Sequence, residues 1–367
     1  MAVLRSKYKM KDMGRPKQIL GLVTQWNAEG DQLFIHQKPY IEQVLKTYLP
    51  GCDSCKTPAE HGRVPDPSDF GQPGEDEHKT KDFPHGTRDF RSVFGSLMHV
   101  TKTRTDIITA LNMVGRCSHN PGMGAVKMLK RILRYLAGTL SWGQLFKKSD
   151  CNFDHYADAD FAADTITRRS RSGGICLYGG AALFHYSRLQ SCVALSTTEA
   201  EVNALVIYVR ELIPLQAALV ELKLIKPQDP MVVNEDNTGA IYTCKNHQVN
   251  RRNKHYQIKW KWLSELYDDK KLDLVPCSTH VMKADGLTKN LGPTKFADWR
   301  ASVGIVPPPV FVELEELNNA TRRAAASATS SSSVPSSANH LGSSQQHQPA
   351  ASSTSTSDQE AEESSRR

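Results

Sequence analysis

Four short acidic motifs constrain the fold of this chain more than any other feature. Tyr156-Ala157-Asp158-Ala159-Asp160 reads as a strand, with both aspartates on one face because side chains two apart point the same way. ALSTTEAE follows at 194–201, NEDN at 234–237 and KADGLTK at 283–289. Each lies at the edge of an expected strand or helix, and together they span about 130 residues. Such spacing suits a site that gathers carboxylates from separate elements of one small domain around divalent metal. Hard Mg2+ or Mn2+ prefers oxygen ligands. Two such ions roughly 4 Å apart activate a water and stabilise a leaving oxygen in phosphodiester cleavage.

The elements around these motifs follow from local pattern. Residues 153–161, 172–178 and 181–187 are expected strands, the last two joined across Gly179-Gly180, a hairpin signal. Residues 196–222 are expected to form a long helix, with Ser196 and Glu199 as a capping box. Glu201, Leu205, Tyr208, Leu212, Leu215, Leu219 and Leu222 fall on one stripe of it. Pro214 should kink or split that helix. The stripe separates the two glutamates. Glu199 has a capping task, whereas Glu201 faces the sheet at its open end, where a carboxylate is costly unless paired or metal-bound. Residues 231–235 read as a strand with Asp236 at its carboxyl end. Residues 238–244 begin a helix, 251–262 lead into another, 271–276 form the last strand, and 284–289 are a short helix bearing Asp285. The pattern alone does not separate Asp160 from Asp158.

Upstream, residues 18–26 and 32–37 are expected to pair as a hairpin, followed by a helix over 39–48 with Pro39 in its first turn. Residues 58–87, rich in Pro, Gly, Asp and His, read as a linker loop, and 88–146 as three helices. Lys127, Lys130, Arg131 and Arg134 line the third opposite its apolar stripe, as either a solvated or a phosphate-contacting face. Arg168, Arg169 and Arg171 sit between the first two strands of the acidic half. RRNKHYQIKWKW at 251–262 interleaves basic and aromatic residues, as a surface tracking a nucleic-acid backbone does; Tyr256 and Trp260 equally suit a core.

The net charge of +7 hides an asymmetry. From Glu313 onward there are seven acidic and four basic residues, so that tail carries −3 and residues 1–312 carry +10. A basic body suits a polyanionic partner. The Ser/Ala-rich residues 306–367 hold too little apolar content to offset chain entropy and are expected to be disordered. The eight cysteines form no regular framework, and Cys52-x-x-Cys55 lacks the second ligand pair a zinc site needs. There is no run of eighteen apolar residues and no apolar signal core. The expectation is an intracellular protein of cytoplasm or nucleus, with reduced thiols and no membrane span.

The motifs YADADFAAD, SGG, ALSTTEAE, EDNTGAI, NKHYQIKW and KADGLTK, in this order, resemble the ribonuclease H domain of Ty1/copia-type retrotransposon Pol polyproteins, over roughly residues 152–300. MKDMGRPKQILGL, HQKPYIEQVLK, CDSCKTP, FRSVFGSLMHVTKTRTDI and HNPGMGAVKMLKRILRYLAGT are similar to the end of the reverse transcriptase in the same family. The family's polymerase signature, an aromatic residue followed by x-Asp-Asp, lies upstream of the segment matching residues 10–14, so polymerisation by this chain alone is not expected. The resemblance implies an α/β fold, a ribonuclease H-like mixed five-stranded sheet with helices. An α+β thumb and connection fragment precedes it, with divisions at 1–57, 58–87, 88–150 and 151–305. It implies Asp158, Glu201, Asp236 and Asp285 as ligands of two Mg2+ or Mn2+ ions. It implies cleavage of the RNA strand of an RNA–DNA hybrid, with the upstream polymerase part of Pol as partner. Arg168, Arg169, Arg251, Arg252, Lys254 and His255 are the expected nucleic-acid contacts. Val202 and Arg171 depart from the family pattern and bear on substrate affinity more than on chemistry. An inactive relic of an element, a non-catalytic nucleic-acid-binding module and an integrase of the same fold are the rival readings.

Overall fold

The computed structural model describes residues 14–71, 87–150, 152–246 and 256–312, together with Glu315 and Asn319. The tail read as disordered lies almost wholly outside the described residues, as do Arg251, Arg252, Lys254 and His255.

Two five-stranded sheets organise the chain. The first contains β1 (Gln18–Ile19), β2 (Leu22–Trp26), β3 (Gln32–His36) and β4 (Gly143–Lys147), closed on its far edge by β10 (Ile305–Val306). Residues 18–26 were expected as one strand. They are two, paired antiparallel with Ile19 opposite Leu22. Leu20 and Gly21 between them both have positive φ, 49° and 82°. That is the geometry of a two-residue turn whose twist matches the flanking strands. A glycine within a strand pattern was the available signal.

Among the described residues, four α-helices cover the region between β3 and β4: α1 (Lys38–Tyr48), α2 (Thr87–Val100), α3 (Ile108–Val114) and α4 (Met123–Gly138). Their apolar stripes share one core, with Ile41, Phe90, Leu97, Leu111, Leu129, Ile132 and Leu136 buried. The described part of the loop after α1, residues 49–71, packs against the rest of the protein. Its Asp69 is buried and accepts Arg63 Nη2 at 2.6 Å on both oxygens.

The second sheet has the order β7-β6-β5-β8-β9. Its strands are β5 (Phe153–Asp160), β6 (Arg171–Tyr178), β7 (Ala181–Leu189), β8 (Met231–Glu235) and β9 (Leu272–Pro276). β5, β6 and β7 are antiparallel; β8 joins β5 in parallel and β9 joins β8 in parallel. This mixed sheet, with a long helix between its third and fourth strands, is the ribonuclease H-like arrangement that the sequence motifs implied. The helix is α5 (Thr197–Glu221), followed by α6 (Thr238–Asn246), α7 (Gln257–Asp268), α8 (Asp285–Thr288) and α9 (Pro293–Ser302).

α5 is capped as expected at Ser196, whose side chain accepts the Glu199 N–H. Glu199 in turn accepts the Leu195 N–H at 2.7 Å. Pro214 does not split the helix. Pro214 and Arg210, whose carbonyl would have received the missing N–H, are both exposed, so water can satisfy that carbonyl. By length and composition alone α5 could cross a membrane. Here it is a core helix: Val202, Leu205, Tyr208, Val209 and Leu212 pack with Ala157, Val233, Leu274 and Trp260. Tyr256 and Trp260 are likewise core residues.

The two sheets are bound into one body. β10 pairs with β4, placing Ile305 opposite Gln144. Gln144 Nε2 donates to the Ala182 carbonyl at 2.8 Å, and Thr109 Oγ1 donates to the Gly286 carbonyl at 2.7 Å. The core of the helical region continues through Leu177 of β6, Leu287 of α8, Trp299 of α9 and Ile305 of β10.

Candidate metal centre

The site forms where the parallel strands of the second sheet end. β5 is the middle strand and carries Asp158 on the face that α8 covers, whereas α5 packs on the opposite face, against Ala157. Opposite Asp158 on β6 is Gly173. A Cβ at Gly173 would meet Leu287 Cβ at 2.7 Å and Thr288 Cγ2 at 2.9 Å. The bare glycine therefore lets α8 lie directly on the sheet. β8 lies parallel to β5, so its carboxyl end delivers Asp236 beside Asp158. The first turns of α5 deliver Glu201.

Asp158, Glu201 and Asp236 each place a carboxylate oxygen within 4.8 Å of the others. Asp285 does not join this group among the described residues. Its Oδ1 lies 2.8 Å from Lys289 Nζ. Asp160, on the same face of β5, is influenced by Lys289, Arg171 and Asp285.

Three further residues shape the site and were missed in the sequence. Thr288 Oγ1 donates to Asp158 Oδ2 at 2.5 Å, and Thr279 Oγ1 donates to Asp236 Oδ2 at 2.8 Å. Glu235 is fully buried; its Oε1 accepts the Asn237 N–H at 3.1 Å, while its Oε2 has no hydrogen-bond partner. A threonine three residues after an acid carries no chemical signature, so nothing marked Thr288. Glu235 was hidden by its neighbour Asp236.

The electrostatics are those of crowded acids removed from water. Burial pushes Asp158 up to about 6; the Thr288 hydrogen bond and Lys289 oppose this, and Asp285 and Asp236 add to it. Burial holds Glu201 far above the carboxylate range, reinforced by Glu235, Asp158 and Asp236. Glu235 is raised as well, chiefly by burial. Asp160 is raised by burial against the pull of Lys289 and Arg171. Glu201 Oε2 is buried without a hydrogen-bond partner. A buried acid with an orphaned oxygen, facing two other carboxylates, is the donor set a hard dication fits. The residues present therefore suit Mg2+ or Mn2+.

The loop between β5 and β6 carries Arg168, exposed, and Arg169, half-buried. Asp164 organises it. It accepts the Thr167 N–H and hydroxyl, both at 2.7 Å, and pairs with Arg116 from the helical region. Thr165 Oγ1 donates to the Pro65 carbonyl at 2.9 Å. Arg171 is buried, within 3.3 Å of Ser187 Oγ, and is pushed down to about 10 by burial and then by Arg116. On α4, Arg131 Nη2 donates to Thr57 Oγ1 at 3.1 Å and Arg134 Nε to the Asp53 carbonyl at 3.0 Å.

No family model matches the chain. Among curated proteins it is 36% identical over 305 residues to the retrovirus-related Pol polyprotein from transposon TNT 1-94 of Nicotiana tabacum, covering 82% of this chain and 22% of that protein. It is 36% identical over 223 residues to the retrovirus-related Pol polyprotein from transposon RE1 of Arabidopsis thaliana, covering 60% of this chain and 15% of that one. The chain thus spans about a fifth or less of the length of these relatives. Among solved structures it is similar to LC11-RNase H1, isolated from compost by a metagenomic approach. That match has 16% identity and a TM-score of 0.29, covering 37% of this chain and 92% of that one.

Proposed function

We propose a nuclease role for this chain from one premise: it belongs to the retrovirus-related Pol polyproteins of Ty1/copia-type transposons, of which it is a segment. The role is hydrolysis of the RNA strand of RNA–DNA hybrids, within the part of the chain from residue 151 to 305. One observation supports it above the rest: three carboxylates from β5, α5 and the end of β8 gather their oxygens within 4.8 Å.

Asp158, Glu201 and Asp236 would hold the divalent ion, with Asp285 beside them. Bound there, Mg2+ or Mn2+ supplies a water of lowered pKa and stabilises charge on the departing 3′ oxygen. The chain's own residues do the rest. Thr288 and Thr279 fix the rotamers of Asp158 and Asp236, so their oxygens are aimed before an ion arrives. Burial keeps bulk water from competing for Glu201. In the reaction a water oxygen bonds to phosphorus and the phosphorus–O3′ bond breaks, leaving a 3′ hydroxyl and a 5′ phosphate. Arg168 and Arg169, on the loop braced by Asp164, are proposed to contact backbone phosphates, and Arg251, Arg252, Lys254 and His255 are proposed for the same task. RNA is distinguished by A-form shape and its 2′-hydroxyls. The reading carries with it an intracellular setting, and residues 1–150 as the portion that connects to the polymerase.

A labelled RNA–DNA hybrid incubated with the chain in Mg2+ or Mn2+ tests this. Metal-dependent cutting that disappears in Asp236→Asn supports the nuclease. Intact hybrid binding without cutting, under every metal tried, removes it in favour of a non-catalytic module or an inactive relic.

A further inference from the structure

The fourth acid of the motif pattern stands apart from the other three. Asp285 opens α8 and Lys289 follows one turn later, with Lys289 Nζ 2.8 Å from Asp285 Oδ1. An acid four residues before a base is the favoured order on a helix, so a plain helical pair accounts for the contact itself. Two features go beyond that. The Lys289 ammonium also interacts electrostatically with Asp158 and Asp160 of β5. Asp285 is meanwhile absent from the group of mutually close carboxylate oxygens. A protein cation thus stands where acids from β5 and α8 converge.

We propose that Lys289 is a resident cation of the carboxylate site. Its ammonium neutralises the Asp285 side. Asp158, Glu201 and Asp236 then take one divalent ion tightly. A second ion needs Asp285 and enters only by drawing that carboxylate away from the ammonium. Lys289 is in this sense a positioning residue that sets the metal concentration at which the second ion binds. The inference rests on the metal-site reading above and deepens it.

The expected size follows from charge. A unit charge a few ångströms from a dication's seat repels it strongly in a partly buried site. Solvent screens this, because the Lys289 side chain is 41% exposed. Removing the charge should still tighten the second ion at least tenfold.

Mn2+ binding to the full chain, followed by calorimetry and by the resonance signal of free Mn2+, tests the proposal. Wild type should bind one ion tightly and a second weakly. Lys289→Met should tighten the second at least tenfold and change the first less than threefold, and Lys289→Arg should keep the second weak. An unchanged or weakened second ion in a folded Lys289→Met overturns the proposal while leaving the metal site standing. No Mn2+ bound by wild type or any variant overturns the metal-site reading, and this proposal with it. Should Lys289→Met not fold, Lys289→Gln replaces it, and Asp285→Asn adds an independent check. Asp285→Asn must lose the weak ion and keep the tight one; loss of the tight ion instead overturns the proposal.

Discussion

Thr288 donates its hydroxyl proton to Asp158 at 2.5 Å, although 130 residues separate the two in the chain. The bond ties α8 to the middle strand and lowers the pKa of a carboxylate that burial raises. A hydrogen bond to a charged acceptor contributes about 1.5–3 kcal/mol. Thr288→Val should therefore weaken Mn2+ binding by roughly tenfold, the equivalent of about 1.4 kcal/mol. It should also move Asp158 further up in pH. Thr288→Ser should retain most of both properties. A Mn2+ titration at two pH values checks this, and a Val variant that binds like wild type rules it out.

The raised carboxylates make the metal-free protein sensitive to base. Asp158 titrates near 6 in the fold, against about 3.9 in an unfolded chain. Between those values the folded state binds more protons than the unfolded state, so stability is fully present below about pH 4 and falls as pH rises through about 6. Glu201 and Glu235, both raised by burial, extend the loss to higher pH. In a chelator, Tm at pH 8 should lie below Tm at pH 5, allowing for other groups with a variant lacking these acids. Mg2+ or Mn2+ should restore it at pH 8. Equal melting at both pH values without metal would count against the crowded-acid description.

Replacing one of the crowded acids should stabilise the metal-free fold. Glu201 is buried, faces Glu235, Asp158 and Asp236, and leaves Oε2 without a hydrogen-bond partner. Glu201→Gln removes the cost of keeping this buried carboxyl protonated at pH 8 and keeps the shape. We expect Tm in a chelator at pH 8 to rise by several degrees, corresponding to about 1–3 kcal/mol. Stabilisation by added Mn2+ should be lost. Scanning calorimetry with and without metal reads both, and a destabilised metal-free variant contradicts the first.

The Arg116–Asp164 pair links the helical region to the loop bearing Arg168 and Arg169. Asp164 is buried, so leaving it without its cation should cost about 3–5 kcal/mol. Arg116→Met is expected to lower Tm and weaken hybrid binding. Arg116→Met combined with Asp164→Asn should recover part of the stability, since no charge is then stranded. Failure of the double variant to recover any would show that the pair is not the coupling.

Much of this arrangement was legible in the sequence, and the reasons differ by residue. The β5 to β9 region follows from period-two alternation, one capping box and a long apolar stripe, which are local signals. Glu201 could be told from Glu199 because only one lies on the buried stripe. Asp285 was grouped with the other acids by motif, but whether its carboxylate joins them depends on Lys289 and the docking of α8, which no local pattern reports. The turn at Leu20-Gly21 was passed over because the residues on both sides alternate like one strand. The return of β10 to β4 joins residues more than 150 apart through only two pairs, Ile305 with Gln144 and Val306 with Gly143. A two-residue strand has no period to read.

Gly173 offers the sharpest test of how the fold makes the site. Its bare backbone faces Asp158 across the β5–β6 ladder, and α8 rests on it. An added Cβ would come within 2.7 Å of Leu287 Cβ, 2.9 Å of Thr288 Cγ2 and 3.1 Å of the Ala284 carbonyl. None of these is the far end of a flexible chain, so α8 itself must shift. Overpacking of this kind costs about 1–3 kcal/mol. The shift should also move Thr288 away from Asp158. Gly173→Ala should therefore lose more metal affinity than stability: a Tm drop of a few degrees, with Mn2+ binding reduced tenfold or more. Gly174→Ala, one residue along, is the control. Its Cβ would meet Tyr208 and Tyr186 rather than α8, at 2.4 and 2.6 Å. It should destabilise the core at least as much while leaving less effect on metal binding in the molecules that fold. If the two variants lose metal affinity equally for equal loss of stability, α8 docking is not what aims the carboxylates.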